Sequence, residues 1–241
     1  MNRVMKGIIE LGYKALNWRY FSRFFQSYKF TWQMATTTKS TAMDAVLRGV
    51  KDEEEFWQKG KQDAQRLKKF IDKDSIVLDL GCGLGQLERF LAPHCKEIHG
   101  VDVSTRMLKF AKDNLKQHPN VLLHKNNGRD LALFPASKFD FVFSIITLQH
   151  LEKEDAYIYI REMYRTLKRG AKVYLELPDF LSDKVFECFV DYANKGAKHT
   201  ARVRGWTKPE VRKIFDYVGF RDIKVSAKDD NIIAVASKGK L

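Results

Sequence analysis

The sequence predicts an α/β fold in which helices cover a parallel β-sheet. From Ser75 onward, short runs rich in β-branched and aromatic residues alternate with helical patterns, an order typical of parallel strands joined by crossover helices. Hydrophobic residues make up 44% of the 241 residues, and 30 of them are aromatic (17 Phe, 9 Tyr and 4 Trp). This apolar content is sufficient for one sizeable core and argues against a disordered chain and against a disulfide-stabilised mini-protein.

The elements of this sheet follow in order along the chain. Strands are predicted at Ile76–Leu80, Glu97–Val101, Val121–Lys125, Phe139–Ile145 and Ala171–Leu177. Helices are predicted between them at Gln86–Leu91, Thr105–Gln117 and Lys153–Leu167. Ser104 is the expected N-cap of the second helix, and Gly170 the expected stop after the third.

The pattern changes after Pro178. Residues 178–206 are predicted to be an insertion, with an amphipathic helix over 181–195 and a basic stretch after it. Thr207 to Glu210 has the pattern of a capping box, which predicts a helix that ends at Gly219. Strands over 220–227 and 232–237 are separated by the turn residues Lys228 to Asn231, which predicts an antiparallel hairpin.

Residues 1–52 differ in composition from the rest and are predicted to form a helical cap or lid, with the main domain over 53–241. Nine aromatic residues lie within 13–32, interleaved with Lys and Arg. Residues 35–41 are predicted to be a linker or mobile lid, and residues 53–70 a helix. The aromatic block allows three interpretations: a lid or dimer interface, a helix at a membrane surface or lipid substrate, or an RNA-binding segment. Its aromatics cover much of the helix circumference, which favours burial against protein.

The net charge of +13 is unevenly distributed. Residues 1–70 carry +7 and residues 196–224 carry +5, whereas residues 71–195 are neutral overall. The excess therefore lies in the segments expected to cap the sheet, and it suggests an anionic acceptor or surface there.

Other features limit the class of protein. Three cysteines, Cys82, Cys95 and Cys188, form no CxxC pair, which fits a reducing compartment and gives no metal-ligating pattern. No run of apolar residues is long enough to span a membrane, and the N-terminus lacks the pattern of a signal peptide. A cytoplasmic protein is the expectation, and the oligomeric state is left open.

A glycine-rich turn follows the first predicted strand and carries the strongest functional signal. The sequence Asp79-Leu80-Gly81-Cys82-Gly83-Leu84-Gly85 runs from a strand into a helix. Glycines let the backbone turn sharply against a ligand, and the next helix presents free amide groups. Asp102 ends the next strand, 21 residues after Gly81, where a carboxylate can accept both hydroxyls of a ribose. A nicotinamide cofactor is the alternative, but its usual third glycine would fall on Gln86.

These motifs resemble those of the class I S-adenosylmethionine-dependent methyltransferases, and in particular their small-molecule subgroup. The resemblance covers residues 70–177 and, more weakly, 207–237. It implies a doubly wound, Rossmann-like sheet of seven strands in the order 3-2-1-4-5-7-6, with the last strand antiparallel. Two departures stand out: Arg169-Gly170 replaces the usual Pro-Gly, and Asn127 replaces the usual Asp beside the adenine.

The resemblance also implies a set of residues that bind S-adenosylmethionine. They are Asp79, Gly81, Cys82, Gly83, Gly85, Asp102, Val103, Met107, Asn127, Gly128, Ser144 and Gln149, with Trp57 expected either at the methionine end or in the core.

Residues for the methyl acceptor are more open. His150, after the fourth strand, is either a general base or a loop histidine that packs under the cofactor. Glu176 and Asp179 either bind a substrate group or serve as solvated or capping residues. Arg202, Arg204 and Trp206, with His199, form either an anion-binding wall or a solvated loop with one buried Trp.

The expected function is methyl transfer to oxygen or nitrogen of a small molecule or a lipid- or sugar-linked metabolite. An RNA methyltransferase that uses the basic flanks is the alternative, and a non-catalytic binding protein is a third hypothesis. Residues 144–147 read Ser-Ile-Ile-Thr, without the Asn/Asp-Pro-Pro-Tyr sequence of DNA amino-methyltransferases.

Overall fold

The computed structural model describes residues 28–47, 52–196 and 202–239, except for the side chains of Lys29 and Ala35. The helices are α1 (Tyr28–Ala35), α2 (Lys39–Val46), α3 (Glu53–Leu67), α4 (Glu88–Leu91), α5 (Thr105–Asn114), α6 (Lys153–Thr166), α7 (Asp183–Asn194) and α8 (Lys208–Val218). The strands are β1 (Ile76–Leu80), β2 (Glu97–Asp102), β3 (Val121–Lys125), β4 (Phe139–Ile145), β5 (Leu167–Pro178), β6 (Phe220–Lys228) and β7 (Asn231–Lys238). Residues 13–27 of the predicted aromatic block over 13–32 lie outside the described residues, as does His199, whereas its residues from Tyr28 onward lie in α1.

The seven strands form one sheet in the order β3-β2-β1-β4-β5-β7-β6, which confirms the predicted topology. Strands β1 to β5 run parallel to one another. Strand β7 lies between β5 and β6 and is antiparallel to both. The parallel strands place their carboxyl ends at one edge of the sheet, where ligands of open α/β sheets bind.

Both faces of the sheet are covered because its central strands are apolar on both sides. In β1, Leu78 and Leu80 belong to a core cluster with residues of α6 and α8, whereas Val77 packs with residues of α3 and α4. A third, smaller cluster joins α2 and α3 to Leu84 and Met107. This smaller cluster holds the N-terminal helices against the carboxyl edge of the sheet.

Helix ends follow the capping signals of the sequence. The Ser104 side chain accepts a hydrogen bond from the Met107 backbone N–H at the start of α5. Thr207 and Glu210 form the expected capping box of α8, which ends at Gly219 with φ +103°. These caps fix where each helix begins above the sheet edge.

Two predicted boundaries are wrong. The structure ends α6 at Thr166, and Leu167 already pairs with Phe139 as the first residue of β5, so Gly170 lies inside the strand. Its φ of +77° falls where the β4–β5 register shifts, a bulge that helix patterns do not reveal. The predicted 35–41 linker is also too long, because Thr38 caps a helix that begins at Lys39.

Candidate functional site

A cavity lies at the carboxyl edge of the sheet, beneath helices α1 and α2. Its empty volume, counted together with the part that opens to solvent, is about 820 Å³. Its lining is mostly apolar and comes from the ends of β1, β2 and β4 and from the helices above them. The lining residues are Tyr28, Trp32, Ala45, Val46, Leu80, Gly81, Gly83, Val101, Asp102, Val103, Met107, Asn126, Gly128, Ile145, Ile146, Thr147, Leu148, His150, Leu151 and Tyr159.

The glycine turn forms one wall of this cavity. The backbone N–H groups of Gly81 and Cys82 both donate to the Val101 carbonyl, at 2.8 and 3.1 Å. Gly81 has φ +94°, and a Cβ there would lie 2.0 Å from the Thr147 hydroxyl oxygen. Only glycine fits this position, because both the backbone conformation and the approach of Thr147 exclude a side chain.

Asp102 presents its carboxylate to the cavity at the end of β2. One carboxylate oxygen accepts a hydrogen bond from the Gly83 N–H at 3.1 Å, and the other accepts from the Ser104 N–H at 2.7 Å. Burial raises the pKa of Asp102 to about 6, against these two backbone hydrogen bonds, which lower it. Each oxygen keeps acceptor capacity for a further donor in the cavity.

Helix α1 forms another wall of the cavity and is hydrogen-bonded to two other helices. Tyr28 donates to the Asp155 carboxylate at 2.7 Å and accepts from the Glu152 N–H at 2.8 Å, both at the start of α6. Gln33 accepts from the Thr105 hydroxyl at 3.0 Å, at the start of α5. Helix α1 therefore crosses the cavity from α6 to α5, with Tyr28 and Trp32 in the lining.

His150 lies in the cavity wall after β4, within a short 3₁₀ turn over Leu148–His150. Its ring meets the Trp32 ring edge-on, with centroids 4.7 Å apart. The Gln149 amide nitrogen lies 3.1 Å from its Nε2. Ile146, the first residue after β4, has φ +49°, a left-handed conformation that is costly for a β-branched residue.

A third wall follows β2 and β3. Val103, Met107 and Gly128 line it, as the resemblance implies, but Asn127 does not. The exposed Asn127 side chain bonds to Asp130 and closes a surface turn. Its neighbour Asn126 is buried in the lining instead, and its side chain accepts from the Gly128 N–H at 2.6 Å. The structure therefore places Asn126, and not Asn127, in the cavity wall.

Several other residues expected at the cofactor lie outside the lining. Gly85 packs against Leu115, and the Ser144 hydroxyl donates to the Leu80 carbonyl at 2.8 Å. Trp57 stacks on the Arg89 guanidinium and donates to Glu53. Asp79 and Cys82 are buried beneath the glycine turn rather than in the cavity.

The two acidic residues proposed for the acceptor are also committed elsewhere. Glu176 accepts from Arg66 at 3.0 Å, from the Tyr174 hydroxyl at 3.1 Å and from Asn231 at 3.2 Å. Asp179 accepts from the Leu181 N–H at 3.0 Å, which is the capping alternative. Neither carboxylate lines the cavity.

The basic residues after the insertion contact protein groups. Arg204 donates to the His150 carbonyl at 2.8 Å and to the Glu152 carboxylate at 2.5 Å. Arg202 lies 3.4 Å from the same carboxylate, and Trp206 is fully buried. These residues tie segment 202–206 to the His150 turn and do not line the cavity.

Sequence reasoning gave Asn126, Thr147 and Tyr159 no role at the cavity, and it considered Tyr28 and Trp32 only as part of the aromatic block, for which a lid was one interpretation. A signal existed for two of them, since Tyr28 and Trp32 are four residues apart and share a helix face. Thr147 and Tyr159 reach the cavity only because the chain folds back after β4, which no local pattern reveals.

Comparison with known families identifies this domain. Residues 77–170 match the family model of a methyltransferase domain. They contain the glycine turn, Asp102 and the His150 turn. Residues 77–170 form a methyltransferase domain.

The curated relatives of this domain are methyltransferases whose names give different substrates. A demethylmenaquinone methyltransferase of Tropheryma whipplei is 31% identical over 97 residues, which is 40% of this chain and 39% of the relative. A ubiquinone biosynthesis O-methyltransferase of Coxiella burnetii is 28% identical over 102 residues, 42% of this chain and 43% of the relative. The chain thus spans about two fifths of the length of these curated relatives.

Solved structures share the fold of the methyltransferase domain and its flanking elements. A SAM-dependent methyltransferase from Archaeoglobus fulgidus aligns with a TM-score of 0.65 at 18% identity, over 83% of this chain and all of that chain. Haemonchus contortus phosphoethanolamine N-methyltransferase 2, solved with S-adenosyl-L-methionine, aligns with a TM-score of 0.60 at 22% identity. The alignment covers 74% of this chain and 52% of that chain. The Rossmann-like methyltransferase fold expected from the sequence is confirmed.

Proposed function

We propose that the protein is an S-adenosylmethionine-dependent methyltransferase that acts on a small, uncharged and largely apolar acceptor. The observation that carries the proposal is the Asp102 carboxylate, which faces the cavity beside the glycine turn with both oxygens oriented by backbone N–H groups. When bound, S-adenosylmethionine supplies a methyl group activated by its sulfonium.

The cavity fits this cofactor in three places. Asp102 would accept the two ribose hydroxyls, because each carboxylate oxygen has a lone pair left. Val103, Met107 and Gly128 would enclose the adenine, and the Asn126 side chain would hold their loop. Gly81 and Gly83 would face the methionine end, where their lack of a side chain allows close approach.

The remaining part of the cavity argues for an uncharged acceptor. Of the described lining residues, the side chains that can carry charge near neutral pH are Asp102 and His150. The cations that an anionic acceptor would need, Arg202 and Arg204, face Glu152. Trp32 and His150 meet edge-on and form a corner suited to a planar ring.

We assign His150 the removal of the acceptor proton. Its Nε2 faces the Gln149 amide nitrogen, a donor, so the neutral ring would carry its proton on Nδ1. The acceptor hydroxyl would then have to replace the Gln149 amide at the Nε2 lone pair before its proton could be removed. In-line transfer requires mainly that nucleophile, methyl carbon and sulfur be aligned. His150→Ala is therefore expected to lower kcat with a hydroxyl acceptor, while binding of S-adenosylhomocysteine is retained.

The acceptor is tested by a screen with labelled methyl donor. Neutral aromatic hydroxyl compounds are expected to be methylated, while carboxylated and phosphorylated analogues of the same compounds are poorer substrates. Asp102→Ala provides the blank. Preference for the anionic analogues would contradict the proposed acceptor and leave the cofactor assignment intact.

Two cations that the RNA alternative would use, Arg202 and Arg204, are paired with Glu152. A membrane-surface role for residues 13–32 stays a prediction. Among the helices of residues 28–47, 52–196 and 202–239, none is long and apolar enough to cross a membrane.

A further inference from the structure

Two buried acidic side chains bracket the glycine turn. Asp79 is the fourth residue of β1, two residues before Gly81, and Glu88 is the first residue of α4, three residues after Gly85. Asp79 is 3% exposed and Glu88 is fully buried. Both oxygens of the Glu88 carboxyl lack a conventional donor among the described residues. A buried carboxylate without a partner is costly, so this arrangement needs an explanation.

The backbone provides the space in which the two carboxyl groups meet. Asp79 pairs in register with Gly100 of β2. A Cβ at Gly100 would lie 2.9 Å from Glu88 Oε1 and 3.0 Å from the Cys82 sulfur. Glycine at position 100 therefore leaves room for the Glu88 carboxyl beside Asp79.

The surroundings of this pair are acidic or apolar. Asp102 acts on it from β2, and the Cys82 thiol lies beside it on the turn. Phe143 is the β4 neighbour of Asp79, and Ala64 and Leu67 of α3 pack against the apolar residues of α4. Among the described residues, no lysine, arginine or histidine acts on either carboxyl.

We propose that Asp79 and Glu88 share one proton, and that this carboxyl–carboxylate clasp positions the glycine turn for the cofactor. One carboxyl donates the shared proton and the other accepts it, which gives one of the two Glu88 oxygens a partner. When the proton leaves to solvent, two negative charges face each other beneath the turn. Asp79 and Glu88 are then positioning residues, since neither touches the cavity.

The direction of the pKa changes supports the clasp. Burial raises the pKa of Glu88 to about 7, and burial together with Glu88 raises that of Asp79. A group whose pKa is higher in the folded state stabilises that state less as pH rises from the unfolded to the folded pKa. The folded protein is therefore expected to lose stability between about pH 4.5 and 7, opposite to the usual effect of a paired carboxylate.

Glu88→Gln tests the clasp, because its amide donates to Asp79 at every pH as the protonated acid does. Unfolding by denaturant is measured from pH 5 to 9 without cofactor. For one shared proton, the unfolding equilibrium constant of the unmodified protein should rise relative to the variant between pH 5 and about 7, by up to about tenfold per pH unit, and the ratio should level off above that. Glu187→Gln removes an exposed carboxyl on α7 and should follow the unmodified protein.

Parallel pH profiles for Glu88→Gln and the unmodified protein would overturn the proposal. If Glu88→Gln does not fold, Asp79→Asn takes its place with the same expectation. Infrared spectra of the unmodified protein need no variant: a protonated-carboxyl band present at pH 7 and lost by pH 9 is expected, and its absence overturns the clasp.

The role of Asp79 and Glu88 in positioning the glycine turn rests on the proposed function, and it is tested by cofactor binding, separately from the unfolding measurements. Affinity for S-adenosylhomocysteine should weaken several-fold from pH 7 to 9 in the unmodified protein and stay constant in Glu88→Gln. Equal pH dependence in both would overturn the positioning role. Failure of the unmodified protein to bind S-adenosylhomocysteine would refute the proposed function, while the unfolding profiles would still decide whether the proton is shared.

Discussion

At the scale of single residues, Asp102 determines how cofactor binding should respond to acid. Burial raises its pKa to about 6, and its ionised form is the one that accepts ribose hydroxyls. Affinity for S-adenosylhomocysteine is therefore expected to fall below pH 6, approaching tenfold per pH unit. Calorimetric titration from pH 5 to 8 measures this. Asp102→Asn should bind S-adenosylhomocysteine more weakly, and its affinity should no longer fall below pH 6. If the affinity of this variant falls below pH 6 as before, another group is responsible for the pH dependence.

A second residue-scale prediction concerns Gly85, which packs outside the cavity. It has φ +79°, and a Cβ there would lie 2.3 Å from a methyl carbon of Leu115. Gly85→Ala is expected to lower the free energy of unfolding by about 2–4 kcal/mol, from strain and overpacking. Gly196→Ala is the matched control, since φ is +60° there and nothing lies within 4 Å.

The control should cost only about 1 kcal/mol, the penalty of the left-handed backbone alone. Denaturant unfolding of both variants gives the comparison. Equal losses would mean that contact with Leu115 contributes nothing at position 85.

Single residues also mark where sequence reasoning stops. Asp102 was predictable because a strand end after a glycine turn fixes its position at the sheet edge. The side-chain direction of Asn127 was not, because a one-residue displacement on the loop after β3 exchanges a buried amide for an exposed one. The position of Trp57, at the cofactor or in the core, was left open because the sequence does not show which of the adjacent residues Phe56 and Trp57 is the buried one. In the structure it is Phe56.

At the scale of elements, α1 acts as a strap across the cavity. Its ends bond to the first turns of α6 and α5, so a ligand that leaves beneath α1, and not through the open part of the cavity, requires one of these ends to detach. Tyr28→Phe removes the hydroxyl that links α1 to Asp155 and Glu152. We expect faster release of S-adenosylhomocysteine and a several-fold weaker affinity, with little change in thermal stability.

Stopped-flow fluorescence measures this release, because Trp32 on the same helix lies in the cavity wall. Phe30→Leu on α1, at a side chain that is more than one-third exposed, is the matched control and should keep the original release rate. Unchanged release in Tyr28→Phe would show that α1 does not limit exit.

Elements were predictable where one physical signal determined them. The apolar runs of β1 to β4 and the capping box of α8 identified those elements with small shifts at their ends. The start of β5 was missed because Leu167 to Gly170 continue a helical pattern while pairing across a bulge. Helix α2 was missed because its Thr- and Ser-rich first turn is typical of linkers as well.

At the scale of the whole molecule, the net charge of +13 is separate from the proposed chemistry. The cavity lining contains no lysine or arginine among its described residues. Binding of a neutral acceptor should therefore change less than about twofold between 50 and 200 mM salt, where contacts to several phosphates would cost orders of magnitude. Steady-state KM values at the two salt concentrations measure this, and a steep loss would favour an anionic partner.

The central claim is that the cavity at the sheet edge binds the methyl donor through Asp102. Isothermal titration of the intact protein with S-adenosylhomocysteine tests it most directly, with Asp102→Ala as the comparison. We predict one binding site per chain, and an affinity about 100-fold weaker in Asp102→Ala, from the loss of two hydrogen bonds to a charged group. No binding by the intact protein, or equal affinity in both, would contradict the account.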